Sequence, residues 1–222
     1  MVSNNAHKEP IKLNLGCGLN APLGWVNIDA SFSARLSNWR GLYNAMCKFA
    51  RVKPVPWPKN IKIVDVRKGL PFSDGTIKAI FSSHMLEHMT YEDANLVIKE
   101  CYRCLCEGGV IRIIVPDLYQ IAKRYVDLMV TDPKGEHSYN FLQDLNMQEG
   151  SYKGLLKVLH KIFGHSRHRH MYDEWSLMDL LEKQGFKNIQ RMCYGQSRIP
   201  DNEMVEDKGR HEMAVCLEGI KE

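Results

Sequence analysis

Ile11-Lys12-Leu13-Asn14-Leu15-Gly16-Cys17-Gly18 reads as an apolar strand running straight into a glycine turn. Glycines at such a point permit positive φ and let backbone N–H groups approach a ligand closely. A second short strand, Trp25–Ile28, follows at once and ends on Asp29, whose carboxylate is placed to accept both hydroxyls of a ribose. Gly16, Gly18 and Ala21 also meet the spacing of a dinucleotide-binding fingerprint. That fingerprint needs its third small residue inside a helix and its acidic residue about 20 positions further on. Pro22 and Gly24 break any helix here and Asp29 arrives too early, which argues against NAD.

Further along, short β-branched or apolar runs alternate with helical patterns. Ile61–Val66, Ile77–Phe81 and Val110–Val115 read as strands buried on both faces, the signature of a parallel sheet covered by helices. Asp65, at the end of the third strand, is placed to accept an adenine amino group. A helix opens at Thr90, with Asp93 in a capping-box-like position and Ala94, Val97, Ile98, Cys101, Cys104 and Leu105 on its apolar face. Asp117 caps another, with Leu118, Ile121, Ala122, Tyr125 and Leu128 inward. A third spans about Asp173 to Gln184 and stops at Gly185. Phe186–Tyr194 and Met213–Leu217 complete seven strands. The fold class is α/β, in one domain over residues 1–222.

A chain of 222 residues, 44% hydrophobic and 25% charged, has the make-up of a globular protein with one sizeable core. No window nears the roughly 20 uninterrupted apolar residues of a membrane span. Residues 1–10 read as a flexible polar N-terminus without a signal peptide's apolar segment. The seven cysteines suggest no disulfide framework, so reduced thiols and a cytoplasmic location are expected. A net charge of +4 permits nucleic acid without arguing for it. Residues 31–60 and 131–171 are insertions, each read as a lid or acceptor-binding element or, for the first, equally as short helices covering a sheet edge.

Leu13 to Gly18 and Gly24 to Asp29 resemble motifs I and II of class I S-adenosylmethionine-dependent methyltransferases. Pro71-Phe72-Ser73-Asp74-Gly75 leading to Ile80-Phe81-Ser82-Ser83-His84-Met85-Leu86-Glu87-His88 is similar to the segment through motif IV of the UbiE/type 11 branch. Glu107-Gly108-Gly109, Pro116-Asp117 and the passage from His170 through Phe186 resemble that branch in the same order. Within it the chain looks closest to small stand-alone enzymes associated with surface-glycan biosynthesis. The resemblance implies a Rossmann-like, mostly parallel seven-stranded sheet with helices on both faces and an antiparallel last strand. It implies S-adenosylmethionine as cofactor, held along Gly16, Cys17, Gly18, Asp29, Asp65, Val66, Ser83, His84 and His88. Two departures stand out. Asn14 replaces the usual acidic residue of motif I, which weakens a contact to the cofactor's amino group. Cys17–Gly24 is too short for the usual crossover helix, since a parallel connection needs about a dozen residues, so a tight loop must stand in for it.

His84-Met85-Leu86-Glu87-His88 also fits the His-x-x-Glu-His pattern of inverted zinc peptidases. That chemistry needs the motif on a helix, whereas here it follows a strand; the expectation is no metal. Cys101 and Cys104 have zinc-like spacing but lie on an apolar helix face, which reads as core. His165, His168 and His170, interleaved with Arg167 and Arg169, read as an active-site rim, a solvated basic loop or a metal cluster. For methylation of a hydroxyl, His168 is the leading general base and His84 the second; Arg167 and Arg169 are expected to lower the pKa of His168. With Lys153, Lys157 and Lys161 these arginines suit an anionic small-molecule or glycan acceptor. RNA methylation and a non-catalytic binding role are the alternatives.

Overall fold

The computed structural model describes residues 10–50, 53–147 and 167–222. The expected flexible N-terminus, apart from Pro10, and Lys153, Lys157, Lys161 and His165 lie outside these residues. Seven strands form one sheet in the order β3-β2-β1-β4-β5-β7-β6. They are β1 (Ile11–Leu15), β2 (Val26–Asp29), β3 (Ile61–Ile63), β4 (Ile77–Ser83), β5 (Leu105–Pro116), β6 (Lys187–Arg191) and β7 (Ala214–Ile220). β1 through β5 pair parallel, and β7 runs antiparallel to both β5 and β6. The third strand stops at Ile63, short of Val66, because the Asp65 side chain caps a 3-10 turn over Val66–Lys68. β1 lies between β2 and β4, so the glycine turn opens where connections leave toward both sides of the sheet, the place where such sheets bind ligands.

Along β5 the side chains alternate between two cores. Ile111, Ile113 and Val115 meet α3 (Tyr91–Cys104), whose Ala94, Val97, Ile98, Cys101 and Cys104 are buried. The late helix, Glu174–Lys183, packs into the same core through Leu177, Leu180 and Leu181. Cys101 and Cys104 are thus core residues, and all seven cysteines are free thiols. Thr90 caps α3 by accepting from the Asp93 amide. Val110 and Ile114 point the other way, into a second core with Trp25, Ala79, Phe81, Ile199, Val205 and Cys216. Ile199 and Val205 belong to the irregular segment between β6 and β7. That segment covers sheet surface where the short 17–24 loop provides no crossover helix.

Arg112 shares this second face and is fully buried. It sits directly across from Glu218 on β7, its Nη1 donating to Glu218 Oε1 at 2.8 Å. Its Nε donates to Glu206 Oε1 at 3.0 Å, Nη2 donates to the same oxygen, and the Gln196 and Cys193 carbonyls accept one proton each from Nη1 and Nη2. One side chain therefore staples the 193–206 stretch to the middle of the sheet.

The first insertion forms α1 (Phe32–Ser37) and α2 (Arg40–Ala50). With Pro54–Lys59 and the edge-strand residues Ile61 and Ile63 they enclose a cleft of about 590 Å³. In the second insertion, α5 (Gly135–Asp144) packs on α4 (Leu118–Thr131), with Phe141 stacked on Tyr125 at 4.8 Å. Only Ile121 of α4 is fully buried; Leu118, Ala122, Tyr125 and Leu128 are half-buried.

Replacing Arg112 by Met would leave Glu206 and Glu218 buried without their cation. Breaking such a network from one side costs about 3–5 kcal/mol. Urea denaturation of Arg112→Met should show a stability loss of that order. The exposed Lys123–Asp127 pair, cut by Lys123→Met, should change stability far less.

Candidate active site

Gly16 and Gly18 have φ of +65° and +54°, a region an L side chain rarely adopts. A Cβ on Gly16 would come within 2.9 Å of the Met85 side chain, so the glycine turn presses directly on the turn after β4. The corresponding position at Gly18 faces open space, where a ligand can reach the backbone. Cys17 is buried, and burial with the nearby Asp29 charge pushes its thiol up to about 12, so it serves as a small residue rather than a nucleophile.

The tight loop is held by amides that the sequence did not reveal as structural. Asn14, 3% exposed, donates to the Asn20 carbonyl at 2.9 Å and to Asn27 Oδ1 at 3.0 Å. Asn27 in turn donates to the carbonyls of Pro22 and Trp25. An acidic residue at position 14 has no proton to give the Asn20 carbonyl, so the departure from the motif fits the short loop. Asn20 also donates to the Val205 carbonyl, joining the loop to the covering segment.

Asp29, 9% exposed, accepts from the Gly18 amide at 3.0 Å and the Ser31 amide at 2.7 Å. Each oxygen keeps a further lone pair, so the carboxylate both braces the turn and remains able to accept from a ribose. Asp65 is differently placed. Both its oxygens accept from the Arg67 guanidinium at 2.8 Å, and this holds its pKa below the usual carboxylate value. An adenine amino group would meet a carboxylate already engaged. Val66 beside it is buried.

The turn after β4 carries the densest set of polar groups. His84 has φ of +52°, its amide donating to the Ile114 carbonyl. Its ring Nε2 lies 2.9 Å from the Arg210 carbonyl and its Nδ1 3.4 Å from Glu87 Oε1. Glu87 is 1% exposed, and neither carboxylate oxygen has a hydrogen-bond partner among the described residues. Its own carbonyl accepts from the amides of Arg169 and His170 at 2.7 and 3.3 Å, which pins the end of the second insertion to this turn. His168 is thereby brought against His88, ring centroids 5.1 Å apart. Burial lowers the pKa of His168 from its ordinary value; His88 and His84 add to this, and Glu87 opposes it. Burial, not Arg167 and Arg169, is the main cause. The Ser82, Ser83 and Tyr172 hydroxyls are also buried without partners among the described residues.

The sequence-derived residues therefore fall into two adjoining groups. Gly16, Cys17, Gly18 and Asp29 form the glycine turn, while Ser83, His84, His88 and His168 gather around Glu87. Asp65 and Val66 lie beyond β3. Glu87 stands in the sequence only as part of a His-x-x-Glu-His pattern; its burial within a run of histidines is visible only once the turn is folded.

Residues 13–113, a little under half of the chain, match the family model described as a methyltransferase domain. The stretch from β1 through most of β5 is thus similar to a methyltransferase domain, a family whose methyl donor is S-adenosylmethionine. No curated protein matches the sequence. Among solved structures, a Thermotoga maritima protein described as a possible histamine N-methyltransferase is 16% identical, with 96% of this chain and 83% of that one covered and a TM-score of 0.49. An Archaeoglobus fulgidus methyltransferase is 14% identical, covering 96% and 87%, at 0.46. The Bacillus subtilis YcgJ protein is 13% identical, covering 96% and 92%, at 0.49. At these identities and scores they say nothing of this chain's acceptor.

Asn14→Asp tests whether the amide holds the loop. Removing the donor leaves the Asn20 carbonyl facing a carboxylate, a loss of about 1–3 kcal/mol. Thermal denaturation should register the drop, and calorimetry should find S-adenosylhomocysteine bound more weakly. Unchanged values for both would exclude this role for Asn14.

Proposed function

We propose that this S-adenosylmethionine-dependent methyltransferase acts in the cytoplasm on a hydroxyl of a sugar or other small acceptor in glycan biosynthesis. The cofactor lies along Gly16, Cys17, Gly18 and Asp29, with Asp65 and Val66 on its adenine side and Ser83, His84 and His88 near its reactive end. The observation that carries the reading is the cluster of three imidazoles around a buried carboxylate, pressed through Met85 against the glycine turn. The sulfonium already activates the methyl carbon. The protein's work is to align the acceptor for in-line displacement, exclude water and receive the hydroxyl proton. His168 and His84 are the proton acceptors of this reading. Lowering of the His168 pKa by burial keeps its ring neutral, the form a base requires. Arg167 and Arg169, exposed beside it, suit a nucleotide-linked or phosphorylated acceptor. Resemblance to small stand-alone enzymes of surface-glycan biosynthesis supports the same choice.

Three measurements test this. Asp29→Ala should weaken S-adenosylhomocysteine binding by about 1.5–3 kcal/mol in calorimetry, the worth of a charge-assisted hydrogen bond. With radiolabelled methyl donor, nucleotide sugars and lipid-linked glycans should accept label while RNA does not. On the acceptor found, His168→Ala should lower turnover by roughly 10²–10⁴ with cofactor affinity nearly unchanged. Label incorporated into RNA alone would overturn the acceptor class.

A further inference from the structure

The environment of Glu87 is unbalanced. A carboxylate 1% exposed, with both oxygens unpartnered among the described residues, is a costly arrangement unless a cation stands beside it. Among the described residues its ion-pair partners are His84, at 3.4 Å, and His88, at 3.9 Å. Neither ring is turned to donate in its neutral form. A carbonyl only accepts, so the Arg210 carbonyl at 2.9 Å requires the His84 proton on Nε2, which leaves Nδ1 as a lone pair facing Glu87. His88 repeats the pattern: its Nδ1 lies 3.4 Å from the Arg167 carbonyl, and its Nε2 faces the carboxylate. His168 Nδ1 is likewise buried and unpartnered, while a backbone hydrogen bond at Leu145 engages the ring. The ring nitrogens not engaged by backbone carbonyls thus face one buried carboxyl group, an arrangement of donor atoms that suits a cation.

One ligand atom from each of Glu87, His88 and His168 lies within 4.8 Å of the others. Metal–ligand bonds of ~2.0–2.2 Å place neighbouring ligands of one ion ~3–3.5 Å apart, so these side chains need to draw in only by about 1.5 Å. The ring hydrogen bonds to backbone carbonyls are the kind that fix the tautomer of a metal-bound histidine. A second trio, Glu206, His211 and Cys216, has similar spacing, but Arg112 already neutralises Glu206.

We propose that Glu87, His88 and His168 bind one divalent transition-metal ion, with positions left open for oxygens of the acceptor. Two imidazoles and a carboxylate suit manganese, iron, cobalt or zinc. This reverses the expectation that the chain holds no metal. That expectation asked for a helix-borne His-x-x-Glu-His motif, whereas the ligand set is a turn completed by a residue from the second insertion.

The ion's part in methyl transfer rests on the hydroxyl reading above; the ligand set does not. In the loaded site His168 is a ligand, and the proton goes to His84. An ion held there would polarise the acceptor hydroxyl, whose proton would pass to His84 Nδ1. The hydroxyl oxygen then bonds to the methyl carbon as the carbon–sulfur bond breaks, the electron pair passing to sulfur. The products are the methyl ether, S-adenosylhomocysteine and one proton.

The test is titration of chelator-treated full-length protein with Co²⁺ and Mn²⁺, followed by calorimetry and by the Co²⁺ absorption bands. One ion per chain is expected. His88→Ala, His168→Ala and Glu87→Gln should each lower its affinity at least tenfold, while circular dichroism and a cooperative thermal transition show that each variant is folded. His168 is half-exposed, so its variant is the least prone to misfold. Absence of uptake at millimolar ion would overturn the site, as would uptake unchanged in His88→Ala and His168→Ala. An ion-free protein whose His88 and His168 rings are doubly protonated by NMR would assign the balancing charge to protons instead. Since the titration needs no acceptor, a failed acceptor screen would defeat the hydroxyl reading and leave the ion count standing.

Discussion

Arg112 is buried in the middle of the sheet with two carboxylates around it, and much of the molecule's arrangement follows from that one ionic contact. Glu218 is its cross-strand neighbour, but Glu206 comes from the irregular segment between the last two strands. Glu206 also accepts from the Gly195 amide, the Asn202 side chain and the His211 ring, so the guanidinium organises a whole loop through one carboxylate. A buried charge of this kind is poor evidence of net stability; its cost when unpaired makes it strong evidence for a single arrangement. The segment so fixed supplies Ile199 and Val205 to the second core and the Val205 carbonyl to Asn20. It also supplies the Arg210 carbonyl that sets the tautomer of His84. The covering segment and the candidate active site are therefore one construction.

Periodicity made most of the sheet legible. Ile11–Leu15 agrees with its strand residue for residue, and the Thr90 and Asp117 caps stand where side-chain chemistry put them, while Asp173, the expected start of the late helix, is its N-cap. The late helix has a complete capping box, since Ser176 returns the hydrogen bond to Asp173. Errors cluster where local pattern and tertiary demand diverge. β5 begins at Leu105, before the Glu107-Gly108-Gly109 turn, because Leu105 pairs with Ile77 across a register shift. Nothing in the 192–213 sequence announces a sheet cover, because its order comes from Arg112, more than eighty positions away along the chain.

Legibility of the site divides in the same way. Gly16, Gly18 and Asp29 are close in sequence, and their roles follow from a strand, a turn and the next strand end. The Asn14–Asn27 pair is equally local, yet it reads as a departure from a motif until the length of the loop explains it. Asp65 reads in the sequence as an acceptor for an adenine amino group, and only the folded turn shows Arg67 closing over it. His168 belongs to the other kind. Its meeting with His88 depends on two backbone amides, at Arg169 and His170, reaching the Glu87 carbonyl. Composition can suggest that a histidine-rich insertion matters, but it cannot say which turn that insertion will touch.

His84 is where these constraints meet. Its φ of +52° is uncommon for a non-glycine residue and persists only where surroundings over-determine it. Three contacts do so here: the amide on the Ile114 carbonyl, the ring on the Arg210 carbonyl, and Met85, next in the chain, against Gly16. The conformation turns the chain sharply off the end of β4, so that the following residues double back as a 3-10 turn instead of extending the strand. Glu87 is thereby driven under the turn, out of water, and the three imidazoles close around it. A glycine at position 84 would relieve the backbone but remove the ring that ties the turn to the Arg112-held segment. The strain and the histidine are retained together because the same residue must bend the strand and face the carboxylate.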